Sequence, residues 1–261
     1  MSDALKFEWV RLRTLRSTYW LIGLALVLSA IVAVALSFAT RNEAIDTNVV
    51  AAMLTGGGEF APLPFTAVFM AIIGIFATGH EYRHGTIQPT LTAVPSRSRL
   101  LVAKLTSVAA TSVVITLASV AINWISASVI RGEALSLSEA PLPEVLAGYV
   151  ALTLLWAVLG LALGLLFRGV PSALVVILVV PLVVETLLTG LSQVPALDWL
   201  RDVVPYLPFS AGQRLVSVGI AESMEGMSIE LLDRWAGGGV FALFTAVILA
   251  AAWYLFEKKD A

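Results

Sequence analysis

Cysteine is absent from this sequence, and charged residues are scarce. Without a thiol the chain cannot form a disulfide, a thiolate metal site or a cysteine nucleophile. Only 13% of the residues are Asp, Glu, Lys or Arg, against about 25% in soluble domains. The low charge excludes an ordinary soluble fold, and the net charge of −2 gives no reason to expect a nucleic-acid partner.

A phosphate-binding loop is also missing, because no G-x-x-x-x-G-K-[ST] pattern occurs. The two glycine triplets, Gly56-Gly57-Gly58 and Gly237-Gly238-Gly239, have no lysine after them. We expect flexible or hinge positions there instead. The chain is therefore not predicted to bind ATP, a cofactor or a metal, and no catalytic residue is assigned to it.

Apolar residues make up 59% of the chain, and its mean hydropathy is +0.92. A membrane span needs about 20 mostly apolar residues. Six windows qualify, at about 19–40, 63–80, 105–130, 145–167, 172–192 and 236–256. We expect an all-α integral membrane protein with one transmembrane domain over residues 1–261. The first window is too long for a signal-peptide core of about 7–15 residues, so we expect a retained anchor.

The basic residues are distributed unevenly over the connections between these windows. With the N-terminus inside, eleven Lys and Arg residues fall on the cytoplasmic side and five on the outer side. Short loops rich in Lys and Arg stay in the cytoplasm. We therefore expect a multi-pass protein of the cell (plasma) membrane with both termini cytoplasmic.

Two segments outside the spans have helical patterns. Residues 3–18 combine the apolar Leu5, Trp9, Leu12 and Leu15 with four basic residues. This pattern predicts an amphipathic helix in the inner membrane interface, although a basic flank that only fixes topology is the alternative. The outer segment 193–235 is aromatic and rich in proline, and it predicts short interfacial helices broken at Pro205 and Pro208 before the last span.

Residues 80–84, His-Glu-Tyr-Arg-His, match the H-E-x-x-H pattern of zinc proteases. On a helix the two histidines lie one turn apart, and Glu81 is placed as the general base. Three features oppose this interpretation: Gly85 follows at once, Arg83 repels a second cation, and the chain has no further histidine. An intramembrane zinc metalloprotease therefore stays an alternative.

Over a longer window the same region contains EYRHGTI from Glu81, TAVPSR from Thr92 and LVAKL from Leu101. This order resembles the ABC-2 type permease family, in which a glutamate, a basic residue and a Gly-Thr pair follow the second span. A short helix, a proline, an arginine and a lysine then lead into the third span. The outer YLPFSAG from Tyr206 is similar to the family's segment before its last span.

The resemblance implies the membrane-spanning subunit of an ATP-driven exporter. A separate nucleotide-binding ATPase, carrying ATP and Mg²⁺, would dock on a coupling helix in the first cytoplasmic loop. A second permease subunit, identical or related, would complete the pathway for an amphipathic drug, antibiotic, peptide or lipid. The coupling residues implied are Glu81, Tyr82, Arg83, His84, Gly85, Thr86, Ile87, Pro95 and Arg97. An ATP-independent membrane carrier is a further alternative.

The residues of this loop agree with a short helix. Gly85 can end the second span's helix, and Thr86 can cap a new one that runs to about Ala93. Pro95 disfavours helix at Val94, and Ser96 can cap the third span. Glu81 is expected to make a structural or coupling contact. For the basic Arg97, Arg99 and Lys104 we expect pairing with neighbouring charges and with lipid phosphates rather than a coupling contact.

Polar residues inside spans are costly and mark candidate pathway positions. Glu185 lies one turn after Pro181 and has three open interpretations: it lines the pathway, it hydrogen-bonds within the bundle to hold a kink, or it is wet at the outer end. Asn123 is expected to form an interhelical hydrogen bond rather than bind substrate. Gly160 and Gly164 form a G-x-x-x-G face for close helix packing.

Overall fold

The computed structural model describes residues 2–43, 45–58, 64–83, 85–93, 96–218 and 232–258. Within these ranges the chain is helical and has no strand. Six helices are long and apolar enough to cross a membrane. This confirms the prediction of an all-α membrane protein with six candidate spans.

The spans follow the predicted order along the chain. Their bounds are α2 Arg16–Ala39, α4 Phe65–Arg83, α6 Arg97–Arg131, α7 Leu142–Leu166, α8 Val170–Leu191 and α10 Arg234–Lys258. The third span differs most from its prediction, because α6 begins at Arg97 and has 35 residues. Its start is fixed by Ser96, whose side chain accepts a hydrogen bond from the backbone N–H of Arg99, as predicted. At 1.5 Å per residue α6 is roughly 50 Å long, so it extends beyond an apolar layer of about 30 Å.

Four shorter helices complete the described elements: α1 Ser2–Thr14, α3 Thr47–Thr55, α5 Ile87–Ala93 and α9 Pro208–Gln213. The outer segment also forms short 3₁₀ turns at Pro195–Asp202 and Val204–Tyr206. Leu207 is extended, and Pro208 opens α9. Breaks were predicted at Pro205 and Pro208. The structure separates two short helices just before Pro208, whereas Pro205 lies inside a 3₁₀ turn.

α3 was not predicted from the sequence. Asp46 caps it by accepting a hydrogen bond from the N–H of Val49 at 3.0 Å, and its last six residues are buried. The glycines that follow are not a flexible hinge, because Gly56 has a φ of +66° and packs tightly on Ser29. A Cβ at Gly56 would lie 2.2 Å from the Ser29 hydroxyl oxygen. The triplet is thus a tight turn that ends α3.

α7 is the centre of the bundle, and α4 packs closely along it. About two thirds of the apolar stretches of these two helices are buried, 67% in α7 and 61% in α4, against 11–22% in the other four spans. The close approach depends on glycine. A Cβ at Gly160 would lie 2.1 Å from the carbonyl oxygen of Ala71, and one at Gly74 would lie 2.2 Å from that of Ala157. The predicted G-x-x-x-G packing face is therefore present, with α4 as its partner.

α8 is not a regular α-helix. A π-helical segment occupies Val180–Glu185, directly around Pro181. Proline has no N–H and its ring displaces the preceding turn, which favours a wider turn at this position. The irregular span expected from Pro181 is confirmed, and the wider turn presents Glu185 to the buried side of the helix.

We expect Gly160→Ala to destabilise the protein by roughly 1–3 kcal/mol, because the added methyl group overlaps the α4 backbone. Gly23→Ala is the matched control, since no atom lies within 4 Å of a Cβ at that helix position. The control variant should be more stable than the unmodified chain by about 0.5–1 kcal/mol in its free energy of unfolding. Thermal unfolding of both variants in mild detergent measures the difference, and equal stabilities would contradict the close α4–α7 contact.

Candidate functional site

Four charged side chains meet at the end of the bundle where α4 stops and α6 starts. They are Glu8 and Arg11 of α1, Glu81 of α4 and Lys104 of α6, and we call them the charge cluster. Glu8, Glu81 and Lys104 are only 2–3% exposed, and Arg11 is partly buried. Three separate helices are joined at this point.

The ion pairs in the charge cluster are short. Glu81 Oε1 accepts from Arg11 Nη1 at 2.6 Å and from Lys104 Nζ at 2.7 Å. Lys104 Nζ also donates to Glu8 Oε1 at 2.7 Å. Arg11 Nη1 lies 3.4 Å from Glu8 Oε2. Each cation therefore contacts both carboxylates, and the cluster has no net charge.

A backbone carbonyl of α4 adds a further acceptor to this cluster. Ala77 O accepts from Arg11 Nη1 at 3.0 Å and from Lys104 Nζ at 3.1 Å. Buried charges of opposite sign stabilise a structure only when geometry and hydrogen bonding are both good, whereas one left alone is strongly destabilising. The position of α1 against α4 and α6 therefore depends on all four charges together.

The register of α1 explains how a charged residue comes to lie inside. Glu8 and Leu12 are buried, and Leu5 lies on the same side of the helix at helical spacing. Trp9 is 49% exposed and lies at the edge of that side. The apolar residues expected to act together therefore differ in burial, because Leu12 packs on the bundle and Trp9 is half-exposed.

Lys104 and Arg97, two of the three basic residues expected to pair with charges or lipid phosphates, have partners within the protein. Lys104 is buried in the charge cluster, so it pairs with neighbouring charges and not with lipid headgroups. Arg97 donates to the carbonyl oxygens of Phe256 at 2.8 Å and Glu257 at 3.3 Å. It thus binds the C-terminal end of α10, where helix carbonyls lack intrahelical partners. Arg99 is exposed on the first turn of α6.

The loop between α4 and α6 is short and partly anchored. Gly85 has a φ of +65°, which ends α4 in the way expected of glycine. Thr86 precedes α5, which runs from Ile87 to Ala93. Ile87 is buried in an apolar cluster with Leu100 and Phe256 of the flanking spans. The predicted short helix is present, and one side of it is anchored to the bundle.

The other predicted coupling residues differ in exposure. Arg83, Gly85 and Thr86 are exposed, and Tyr82 is half-buried with the Arg168 guanidinium 5.8 Å above its ring. Outward positions of α5 include Gln88, Pro89 and Thr92. His84 and Pro95 lie outside the described residues. A structural or a coupling contact was expected of Glu81. Because Glu81 is buried and faces inward, the structure favours the structural contact.

Of the two histidines in the H-E-x-x-H pattern, the structure describes His80 and not His84. His80 stacks on Phe76 with ring centroids 4.1 Å apart, and Glu81 is engaged by two cations. No group of three His, Cys, Asp or Glu side chains that could hold a metal occurs among the described residues. The zinc-protease alternative therefore gains no support from the residues around His80.

Glu185 is buried and hydrogen-bonded within the protein. Its carboxylate accepts from the backbone N–H groups of Phe209 at 2.9 Å and Ser210 at 2.7 Å, and from the Ser210 hydroxyl at 2.7 Å. These are the first turn of α9, so the carboxylate caps that helix. Of the three interpretations of Glu185, the structure supports the hydrogen bond within the bundle.

Asn123 forms the interhelical contact that was expected. Its Nδ2 donates to Ser29 Oγ of α2 at 2.8 Å and to Leu54 O of α3 at 3.0 Å. Ser119, one turn earlier, donates to the same Ser29 hydroxyl at 3.0 Å. This confirms an interhelical role for Asn123 and ties α6 to α2 and α3.

Glu8 was missed in the sequence analysis. A usable signal was present, because Glu8 falls between Leu5 and Leu12 on the apolar stripe of a helix that is otherwise basic. A buried acid needs a cationic partner or hydrogen-bond donors. The sequence did not reveal which of sixteen Lys and Arg residues that partner is.

The chain belongs to the family described as Protein of unknown function (DUF2705), whose sequence model matches residues 16–261. The match covers all six spans, the loop and two members of the charge cluster, Glu81 and Lys104. No curated protein matches the chain.

We expect Lys104→Met to cost about 3–5 kcal/mol of stability, because it leaves two buried carboxylates with one shared cation. Arg99→Met is the control on the same helix and should change stability by about 0.5 kcal/mol or less, since Arg99 is exposed. Unfolding of both variants in detergent gives the comparison. A Lys104 variant as stable as the control would show that the cluster does not hold these helices.

Proposed function

We propose that this member of the DUF2705 family is the membrane-spanning permease subunit of an ATP-binding-cassette exporter. A separate ATPase subunit docks on the loop that contains α5 and supplies ATP and Mg²⁺. A second permease subunit, the same chain or a related one, completes the pathway. The substrate class is an amphipathic drug, antibiotic, peptide or lipid moved outward.

The observation that carries this proposal is the short helix α5 on a stiff base. Its inward side is anchored at Ile87, and its outward residues are exposed. Glu81 of the charge cluster lies two residues before the end of α4 at Arg83, so the loop begins close to a fixed point. A partner that presses on α5 would therefore move the ends of α4 and α6 together.

The sequence supports an ATPase that is separate. No phosphate loop occurs in the 261 residues. The resemblance of residues 81–105 to the ABC-2 type permease family agrees with a permease chain that works with a separate ATPase. ATP binding and hydrolysis belong to the partner, and this chain transmits the partner's movement to the spans.

The charge cluster gives a path for that movement. Because Glu81 pairs with cations of α1 and α6, displacement at the end of α4 reaches both helices. α4 in turn packs along α7 with the two backbones in close contact at Gly74 and Gly160. Closely packed helices do not deform easily, so α4 and α7 would shift as one unit.

The charge bias along the chain sets the proposed orientation. The end with α1, α5 and the charge cluster also carries most of the basic residues, which supports a cytoplasmic location for it in a cell (plasma) membrane. α3, α9 and the outer 3₁₀ turns would then face outside. The Glu185 carboxylate and the Asn123 amide nitrogen are hydrogen-bonded within the protein, which favours structural roles over pathway roles for both.

Charge reversal on the docking loop tests the proposal. Arg83 is exposed at the end of α4, and Arg41 is exposed at the opposite end of the bundle. With a phosphate-loop ATPase encoded beside this chain's gene, we expect Arg83→Glu to weaken the complex and its ATP-driven transport by at least about tenfold. Arg41→Glu should leave both near wild type.

A second variant probes the centre of the loop. Gln88→Arg adds bulk and charge to the outward side of α5 without burying either, so it should disrupt docking while preserving thermal stability. An intact complex with normal ATP-coupled transport in both loop variants would overturn the docking assignment. Transport that needs no ATPase at all would favour the carrier alternative.

A further inference from the structure

The side of α1 that faces away from the bundle is both basic and aromatic. Lys6, Arg13 and Thr14 are exposed there, and so is Arg16 at the start of α2. Phe7, Trp9 and Val10 are 47%, 49% and 57% exposed. We call this set, together with Tyr19 and Trp20 just beyond it, the outward face of α1. Tyr19 and Trp20 are 59% and 74% exposed.

The cations of this face are not neutralised within the described residues. Lys6, Arg13 and Arg16 take part in none of the ion pairs found there. Glu8 is the only acid among the described side chains of α1, and it is buried on the opposite side. The described side chains of the outward face therefore carry three positive charges and no negative one.

The opposite end of the bundle shows a different arrangement. Arg131 pairs with Glu133 at 3.0 Å, Arg201 with Asp198 at 3.2 Å, and Arg234 lies 4.0 Å from Glu144. These three arginines have acidic partners from the same chain. In α1 and the first turn of α2, by contrast, three basic side chains outside any ion pair lie beside exposed aromatic rings.

We propose that the outward face of α1 binds anionic phospholipid headgroups and so selects them from a mixed bilayer. Tryptophan and tyrosine rings lie at headgroup depth, which brings the neighbouring cations level with lipid phosphates. The Arg13 guanidinium lies 5.6 Å above the Trp9 ring, which holds one cation beside an interfacial aromatic side chain. A zwitterionic headgroup would not balance the three charges, whereas lipids with a net negative charge would.

The position of this face gives lipid binding a structural consequence. The same helix contributes Glu8 and Arg11 to the charge cluster on its other side. Anionic lipid would therefore hold α1 against the bundle from outside while the ion pairs hold it from within. Recognition of the lipid depends only on α1 and Arg16, and it does not require the exporter proposal to hold.

Quenching of Trp9 by brominated lipid tests the inference. The full chain and its Trp9→Phe variant are reconstituted in phosphatidylcholine vesicles that contain a minor share of brominated phosphatidylglycerol or of brominated phosphatidylcholine. The difference between the two proteins isolates Trp9. We expect stronger Trp9 quenching by the brominated phosphatidylglycerol, and a smaller excess at high salt. Both leaflets have one composition, so the result does not depend on orientation.

Charge removal identifies the residues responsible. In the Lys6→Gln, Arg13→Gln, Arg16→Gln triple variant the preference for phosphatidylglycerol should disappear. Each charge removed should lower the affinity for this lipid by roughly fivefold. Arg41→Gln is the control, because it removes one exposed arginine at the other end. Equal quenching by the two brominated lipids in the otherwise unmodified chain would overturn the proposal, and so would a preference that survives in the triple variant.

Discussion

Burying a charge in an apolar bundle is costly unless the charge is paired with an opposite charge or hydrogen-bonded. Opposite charges are buried together in this chain where Glu8, Arg11, Glu81 and Lys104 meet with no net charge. The four residues come from three helices that are far apart in sequence. Satisfying them fixes the N-terminal helix against the second and third spans and sets the base from which the α5 loop begins.

The rest of the bundle connects the charge cluster to the other helices through close contacts. α4 carries Glu81 at one end and packs backbone to backbone on α7 through glycines. α6 carries Lys104 near one end and Asn123 further along, where hydrogen bonds reach α2 and α3. A displacement at the loop therefore has rigid routes into most of the described spans. An exporter permease driven by a partner requires such routes, and this is the physical content of the proposed function.

Much of this architecture was predictable, because it follows from local patterns. Apolar length predicted the six spans, Ser96 predicted the start of α6, and Gly85 with Thr86 predicted the short helix α5. Contacts between distant residues were not predictable in the same way. The contact of Lys104 with Glu8 was not predicted because the two residues are 96 positions apart, and α3 was missed because nine residues in a loop are too few to reveal a buried helix. The role of Glu185 likewise required knowing that α9 begins beside it.

The central claim is that the charge cluster joins α1 to the α5 loop as one structural unit. Hydrogen–deuterium exchange of the Glu8→Gln variant measures this most directly, because residue 8 is distant in sequence from the loop. The account predicts faster exchange in α1, in the last turns of α4 and through residues 85–93. Exchange in the outer turns at 195–216 should stay unchanged. Faster exchange confined to α1, with the loop as protected as in the unmodified chain, would contradict the claim.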